Sequence, residues 1–234
     1  MNKKERLEEL KEQWDECKRC SLCRTRHNVV FGDGNANADI LVIGEAPGEH
    51  EDIKGRPFIG PAGEVLDGFV GALSLDRDID LYVTNAVACR PTMTNKDERT
   101  GELRIENRPP ARDERIACLP RLLETIYLVD PMLIVTLGRV PFQVLFGRVP
   151  KMDSLRGNIQ TFHTWGRYTE LRYPVIPLYH TAFLLRTFDK REEGPWGKTM
   201  MDWLKICNII DHLREVYYGT ERPNREVVSG RKKK

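Results

Sequence analysis

Asp39-Ile-Leu-Val-Ile-Gly44 runs straight into Glu45-Ala-Pro-Gly-Glu-His-Glu-Asp52, and the change of character between these stretches decides the fold. A short, wholly apolar run rich in branched side chains and ending on glycine reads as a strand buried on both faces. The Gly-, Pro- and acid-rich segment after it reads as a loop. Working outward, the same strand signature returns at 81–88 (Leu-Tyr-Val-Thr-Asn-Ala-Val-Ala), at 132–137 and at 173–178. Helical periodicity fills the gaps. Residues 62–73 set Val65, Leu66, Phe69, Val70 and Leu73 on one face, and helices are predicted over 111–128 and 139–147. An amphipathic helix over 3–16 carries Leu7, Leu10 and Trp14, and a closing helix over 198–218 is expected to bury Trp203, Leu204, Ile206, Ile210 and Leu213. The polar stretch 91–110 reads as a charged surface loop. Strands alternating with helices predict an α/β fold: a single domain with a central, mostly parallel sheet flanked by helices on both faces. The chain shows no internal repeat and no dividing linker, so the domain is expected to span 1–220, followed by a basic, disordered tail over 221–234.

The chain has 234 residues, 40% of them hydrophobic and 31% charged, with a net charge of +2. That balance excludes a histone-like polycation and still permits a local basic face. The longest apolar runs are too short to cross a bilayer, and Met1-Asn-Lys-Lys-Glu-Arg6 has no apolar signal core. A soluble, cytoplasmic monomer without a membrane partner is expected.

In a parallel sheet covered on both faces, ligands bind outside the carboxyl ends of the strands. Glu45 follows the first strand, Asn85 lies in the second, and His180 follows the last. Any one of them has an ordinary explanation as a turn former or a surface residue. Three polar side chains from remote segments at one sheet edge point to a site.

Six cysteines in a cytoplasmic chain direct attention to metal or catalysis rather than disulfides. Cys17 and Cys20 form a C-x2-C pair on a turn after a helix, Cys89 closes a strand, and Cys118 lies in a helix. Such a set suits zinc or an iron–sulfur cluster, and spacing does not choose between them. Cys23 reads as a spare thiol and Cys207 as a small hydrophobe on a helix face.

Several blocks together resemble one family. They are Cys17-Lys-Arg-Cys20, Val29-Val-Phe-Gly-Asp-Gly-Asn35, Gly44-Glu-Ala-Pro-Gly-Glu-His-Glu-Asp52 and Gly55-Arg-Pro-Phe-Ile-Gly-Pro-Ala-Gly63. Tyr82-Val-Thr-Asn-Ala-Val-Ala-Cys-Arg-Pro91, Cys118 and His180-Thr-Ala-Phe-Leu-Leu-Arg186 complete the set. In this order they are similar to the uracil-DNA glycosylase superfamily, and among its branches they most resemble the family-four, iron–sulfur members. The resemblance implies that Cys17, Cys20, Cys89 and Cys118 hold a structural [4Fe-4S] cluster. It also implies that Phe58 stacks on an extruded base, Asn85 pairs with its edge, His180 reaches the pyrimidine O2, and Gly44, Glu45 and Ala46 line the pocket.

The implied chemistry suits these residue types. Breaking an N-glycosidic bond puts cation character on the sugar and negative charge on the base, so His180 would stabilise the departing anion. Glu45 would orient water or balance the sugar cation. Leu184, Leu185 and Arg186 would wedge into the vacated stack and grip a phosphate. Arg99, Arg104, Arg108, Arg112 and Arg115, interleaved with acids, would follow a DNA backbone, with the Arg231-Lys-Lys-Lys234 run adding to the attraction. The expected protein is therefore a DNA-repair glycosylase that flips a pyrimidine, foremost uracil, out of DNA and hydrolyses its glycosidic bond to leave an abasic site. The alternatives are a glycosylase for a modified cytosine of phage DNA, hence antiviral defence, and a non-catalytic DNA-binding module. Two positions depart from the family pattern: Thr181 follows His180 where proline is common, and Pro61 stands where a basic residue is usual. With no histidine between Gly55 and Gln160, a covalent histidine mechanism in that loop has no nucleophile.

Overall fold

The computed structural model describes residues 1–147, 151–164, 171–187 and 189–219. The predicted tail over 221–234, with its terminal basic run, lies outside the described residues. The elements in chain order are α1 (Lys3–Asp15), a 3-10 turn (Ser21–Arg24), β1 (Gly32–Gly34), β2 (Ile40–Gly44), α2 (Glu49–Lys54), α3 (Pro61–Ala72), α4 (Arg77–Asp80) and β3 (Leu81–Asn85). Next come β4 (Thr92–Lys96), β5 (Leu103–Asn107), α5 (Arg112–Val129), β6 (Leu133–Leu137), α6 (Arg139–Phe146) and α7 (Met152–Leu155). The chain closes with β7 (Gln160–His163), β8 (Arg172–Leu178), α8 (Thr181–Arg186) and α9 (Pro195–Tyr218).

The main sheet has the order β1-β3-β2-β6-β8-β7. Its four inner strands are parallel, and β1 and β7 pair antiparallel at the two edges. Alternation along β2 explains why its sequence is apolar throughout. Leu41 and Ile43 enter a core with α1 and α5, and Ile40 and Val42 enter a second core with α3 and α9. The expected α/β architecture is the one observed. Among the described residues no helix is long and apolar enough to cross a membrane.

Four expectations need correction. The stretch 91–110 is not a loop, because β4 and β5 pair as an antiparallel hairpin with Asn95 opposite Arg104. Its turn is closed by Asp97, whose carboxylate accepts from the N–H groups of Arg99 (2.9 Å) and Thr100 (3.1 Å). Among the described residues no hydrophobic cluster covers the hairpin, so its strands lack the apolar alternation that would have announced them. The loop after β2 ends early, since Glu51 caps the start of α2 by accepting from the Gly48 N–H at 3.0 Å. Regular β3 stops at Asn85 rather than at Ala88. In α9, Trp203, Ile206 and Ile210 are fully buried, whereas Leu204 is 40% exposed and Leu213 is half-buried. One residue of advance turns a helical side chain by about 100°, which carries position 204 off the stripe.

Trp203 has no exposed surface and sits in the core between the sheet and α9. Trp203→Ala is expected to lower unfolding free energy by about 3–5 kcal/mol in a denaturant titration. A loss below about 1 kcal/mol would show that this core layer does not anchor α9.

Candidate active site

At the carboxyl edge of the parallel strands a cleft of about 640 Å³ opens. Its lining includes Glu45 and Ala46 after β2, Phe58 before α3, Asn85 at the end of β3, and His180 after β8. Leu185 and Arg186 of α8 border it too. The structure therefore brings together the five side chains placed in a pocket from sequence.

Register makes this possible. Gly44 and Asn85 are direct partners in the parallel ladder, so β2 and β3 end at the same level. A Cβ at Gly44 would stand 2.5 Å from Phe58 Cζ and would also overlap Asn85 Oδ1, so only glycine lets both groups reach the cleft. Phe58 has a φ of +52°, a left-handed conformation that costs a bulky residue roughly 1–3 kcal/mol. The neighbourhood holds it there. Arg77 donates to the carbonyls of Phe58 (2.7 Å) and Pro57 (2.6 Å), and Gly63 gives the Phe58 carbonyl space that any side chain would fill. The Phe58 ring lies 6.5 Å from the His180 ring, centroid to centroid, with 27° between their planes.

Asn85 is 2% exposed, and among the described residues its side-chain amide has no hydrogen-bond partner. An amide that faces a cleft without a protein partner is available to a ligand. His180 caps α8: its Nδ1 accepts from the Ala182 N–H at 3.0 Å. In the neutral ring the proton therefore sits on Nε2, which is a donor. Burial, aided by the positive charge of Arg186, lowers the His180 pKa to about 4, so the ring is neutral at physiological pH. Burial raises the Glu45 carboxyl above its ordinary value, and the cations of Arg115 and Arg186 oppose that rise.

Glu51 escaped the sequence reading. Buried beneath the cleft wall, it accepts from the N–H groups of Gly48 (3.0 Å), Ile59 (3.1 Å) and Gly60 (2.9 Å). One carboxylate thus ties the loop after β2 to the loop that carries Phe58. The available signal was the Gly48-to-Glu51 spacing of a helix cap. Arg90 was missed as well. It donates to Asn107 Oδ1 at 2.7 Å and to Glu49 Oε1 at 3.2 Å, fastening the hairpin to α2 at the rim.

The wedge needs correction. Leu184 is fully buried in the core and cannot reach a ligand, whereas Leu185 is 43% exposed at the mouth beside Arg186. One step along α8 turns the side chain by about 100°, which carries Leu185 out of the core that holds Leu184 and which a bare Leu-Leu pair does not reveal. The basic stretch is also partly spoken for, since Arg104 pairs with Asp97 (3.1 Å) and Arg108 with Glu114 (2.6 Å).

The cysteines gather next to the cleft. Cys20, Cys89 and Cys118 share a small core with Leu22, Val29 and Val87, against which Ala46 also packs. Cys20 is close enough to feel the charges of Cys118 and Cys17, and Cys89 those of Cys118 and Cys20. Burial pushes the Cys89 thiol up to about 12. Arg26 donates to Cys89 Sγ (3.7 Å), and the Ala88 N–H donates to Cys118 Sγ (3.4 Å). Among the described residues no three His, Cys, Asp or Glu side chains close to the spacing of a single metal ion. Cys23 lines a separate shallow cleft with Arg26 and His27, and Cys207 is half-buried on α9.

An aromatic face beside an unpartnered amide and a neutral imidazole suits a flat heteroaromatic ring with polar edges, which is the description of a nucleobase. Comparison with known proteins gives that class a family. The sequence model of the Uracil DNA glycosylase superfamily matches residues 31–204, and the chain belongs to this superfamily of DNA glycosylases. The matched range contains the whole cleft with Cys89 and Cys118, and leaves Cys17 and Cys20 outside it. The chain is similar to the Type-4 uracil-DNA glycosylase of Saccharolobus solfataricus, at 40% identity over 72% of each chain. It is similar to that of Sulfurisphaera tokodaii at 38% over 76% of each, and to that of Archaeoglobus fulgidus at 33% over 81% of this chain and 88% of the relative.

Gly44→Ala tests the cleft directly. The added methyl must displace Phe58 or Asn85, and a misplacement near 1 Å costs on the order of 100-fold in rate. Cleavage by the folded variant should fall on that scale while its melting curve stays cooperative. Wild-type cleavage would mean that neither side chain acts from this position.

Proposed function

We propose that the protein excises uracil from DNA, using Asn85 and Phe58 to hold the base, His180 to stabilise it as it leaves, and Glu45 to serve the water. The observation that carries this reading is the free Asn85 amide, buried beside Phe58 and a neutral His180. The base must first leave the helix, because its glycosidic bond cannot be reached in the stack. Leu185 fills the gap it leaves, and Arg186 meets a phosphate. In the cleft the base lies on the Phe58 ring. The Asn85 amide both donates and accepts, as the edge of a pyrimidine requires.

The C1′–N1 bond then breaks, and its electron pair leaves with the base. Negative charge grows on O2, where His180 Nε2–H donates to it. Because Nδ1 is already committed to the Ala182 N–H, the ring need not turn to do so. The Glu45 carboxylate faces the sugar cation and accepts a proton from the water whose oxygen bonds to C1′. Uracil is the favoured base because the chain resembles relatives named for it, and those relatives lend the modified-cytosine alternative no support. The catalytic set argues against a passive DNA-binding module, and we expect the domain over 1–220 to act as a monomer.

The residues present also fit a [4Fe-4S] cluster. Four thiols converge from three segments: Cys20, Cys89 and Cys118 share one small core, and Cys20 also feels the charge of Cys17. Cys17, Cys20, Cys89 and Cys118 would be its ligands, with the Arg26 and Ala88 donors to the Cys89 and Cys118 sulfurs beside them. Bound there, the cluster supplies cross-linking rather than chemistry on DNA.

Three experiments bear on this reading. In single-turnover assays, duplexes containing uracil should be cleaved and those containing cytosine or hydroxymethylcytosine should not. His180→Ala should slow the chemical step by roughly 100- to 1000-fold with DNA affinity nearly unchanged. The pH profile carries the signs: Glu45 must be ionised and burial raises its carboxyl above the ordinary range, so as pH falls the rate drops first through that limb. His180 charges only near 4, so it contributes no inflection between pH 6 and 8. An inflection there that His180→Ala abolishes would refute the neutral imidazole. Preference for hydroxymethylcytosine would refute uracil.

Protein purified without air should be brown with about four irons per chain. Cys89→Ser should bleach and destabilise it, whereas Cys23→Ser and Cys207→Ser should keep the colour. Colourless, folded protein carrying one zinc would overturn the cluster.

A further inference from the structure

Arg121 is fully buried, one of the largest side chains with no exposed surface, and among the described residues its guanidinium bonds only neutral oxygens. Nη1 donates to the Phe31 carbonyl (3.2 Å) and to Thr84 Oγ1 (3.0 Å). Nη2 donates to the Asn85 carbonyl through a short bond and to the Ala86 carbonyl at 3.4 Å. The cation also lies over the Phe31 ring, 5.6 Å from its centroid. A buried charge without a carboxylate is a poor choice for stability alone, since an apolar side chain of similar volume would fill the space at lower desolvation cost.

The acceptors show what the charge accomplishes. The outer edge of β3 is paired with β1 only as far as Thr84, opposite Gly32. Main-chain pairing with the 30–34 segment resumes at Ala88, whose carbonyl accepts from the Val30 N–H at 2.8 Å. Between those points the carbonyls of Asn85 and Ala86 lie at a buried edge, where an unpaired group is costly. Arg121 takes both, and its second nitrogen reaches Thr84 and Phe31 at the same time. The inner edge is fixed by β2, with the Ala86 N–H donating to the Gly44 carbonyl at 2.8 Å. The Asn85 backbone is therefore clamped from both sides while its amide stays free.

We infer that Arg121 is a positioning residue for base recognition: it holds the end of β3 so that the Asn85 amide meets the base edge in register. This rests on the reading that Asn85 contacts the base. Arg121 reaches the Asn85 and Ala86 carbonyls from α5, so it acts on the amide only through the backbone of the strand end.

The test is a double-mutant cycle on the full-length protein. Arg121→Lys keeps the charge but cannot fork across acceptors on two segments. Single-turnover cleavage of a uracil-containing duplex should fall by up to roughly 100-fold, with duplex affinity retained. In an Asn85→Ala background the same change should add less than about two-fold, because there is no amide left to misplace. A loss in scaffold stability alone would slow both backgrounds equally. Should Arg121→Lys fail to fold, Thr84→Val removes one of the clamp's acceptors while keeping Arg121, and its smaller loss should likewise vanish without Asn85. Multiplicative losses in the cycle that folds, or wild-type cleavage by folded Arg121→Lys, overturn the inference. Wild-type cleavage by Asn85→Ala alone would instead sink the base-contact reading beneath it.

Discussion

The partnership of Gly44 with Asn85 at the carboxyl end of two parallel strands is the constraint on which the site depends. Parallel ladders are evenly spaced, so strands paired in this register release their next residues at one height. Glu45 emerges there, and the Val87 N–H returns to the Glu45 carbonyl at 3.1 Å, keeping the two chains together past the sheet. The missing Cβ at Gly44 is the second half of the constraint. Without that vacancy the Phe58 ring could not lie against the strand end, and its strained left-handed backbone would have no purpose. Glu51 and Arg77 maintain the strain from outside, one through main-chain N–H groups and the other through carbonyls.

Electrostatics at this edge follow from burial. A cleft walled by Phe58, Ala46 and Pro47 favours uncharged forms, which pushes the Glu45 pKa up and the His180 pKa down. Arg186 acts on both in the same direction, toward ionised Glu45 and neutral His180. A neutral donor has a thermodynamic consequence. Since His180 titrates at about 4 in the folded chain and at 6.5 ordinarily, the unfolded chain binds a proton that the native chain refuses between those values. Stability therefore declines as pH drops from 6.5 toward 4, and this group adds no further loss below that.

Legibility in the sequence tracked burial. The strands β2, β3, β6 and β8 are enclosed on both faces, so their composition alone marks them, and the parallel order then places Glu45, Asn85 and His180 at one edge. The β4–β5 hairpin is largely exposed and is held by backbone pairing and polar side-chain bonds rather than by an apolar face, so no hydrophobic alternation marks it. Leu184 and Leu185 are identical letters with opposite surroundings, and only the direction of α8 separates them. The left-handed Phe58 was invisible for a different reason, because its conformation is imposed by Arg77 and Gly63 rather than by its own preference. Glu51 looked like one more acid in an acidic loop.

The same strand end ties the cysteine group to the pocket. Asn85 and Cys89 belong to one continuous segment, and the Ala88 N–H between them reaches Cys118 Sγ. Cys118 in turn lies one helical turn before Arg121 on α5, so one face of the same helix supplies a thiol at Ala88 and the guanidinium at Asn85 and Ala86. Arg26 closes the circuit, joining Cys89 Sγ to the carbonyls of Cys17 and Asp15 in the N-terminal segment. A group bound by the thiols would thus brace the segment that presents the Asn85 amide to the cleft. Such bracing would fall where β3 has ended and isolated main-chain bonds, Ala86 to Gly44, Val87 to Glu45 and Val30 to Ala88, still hold the segment.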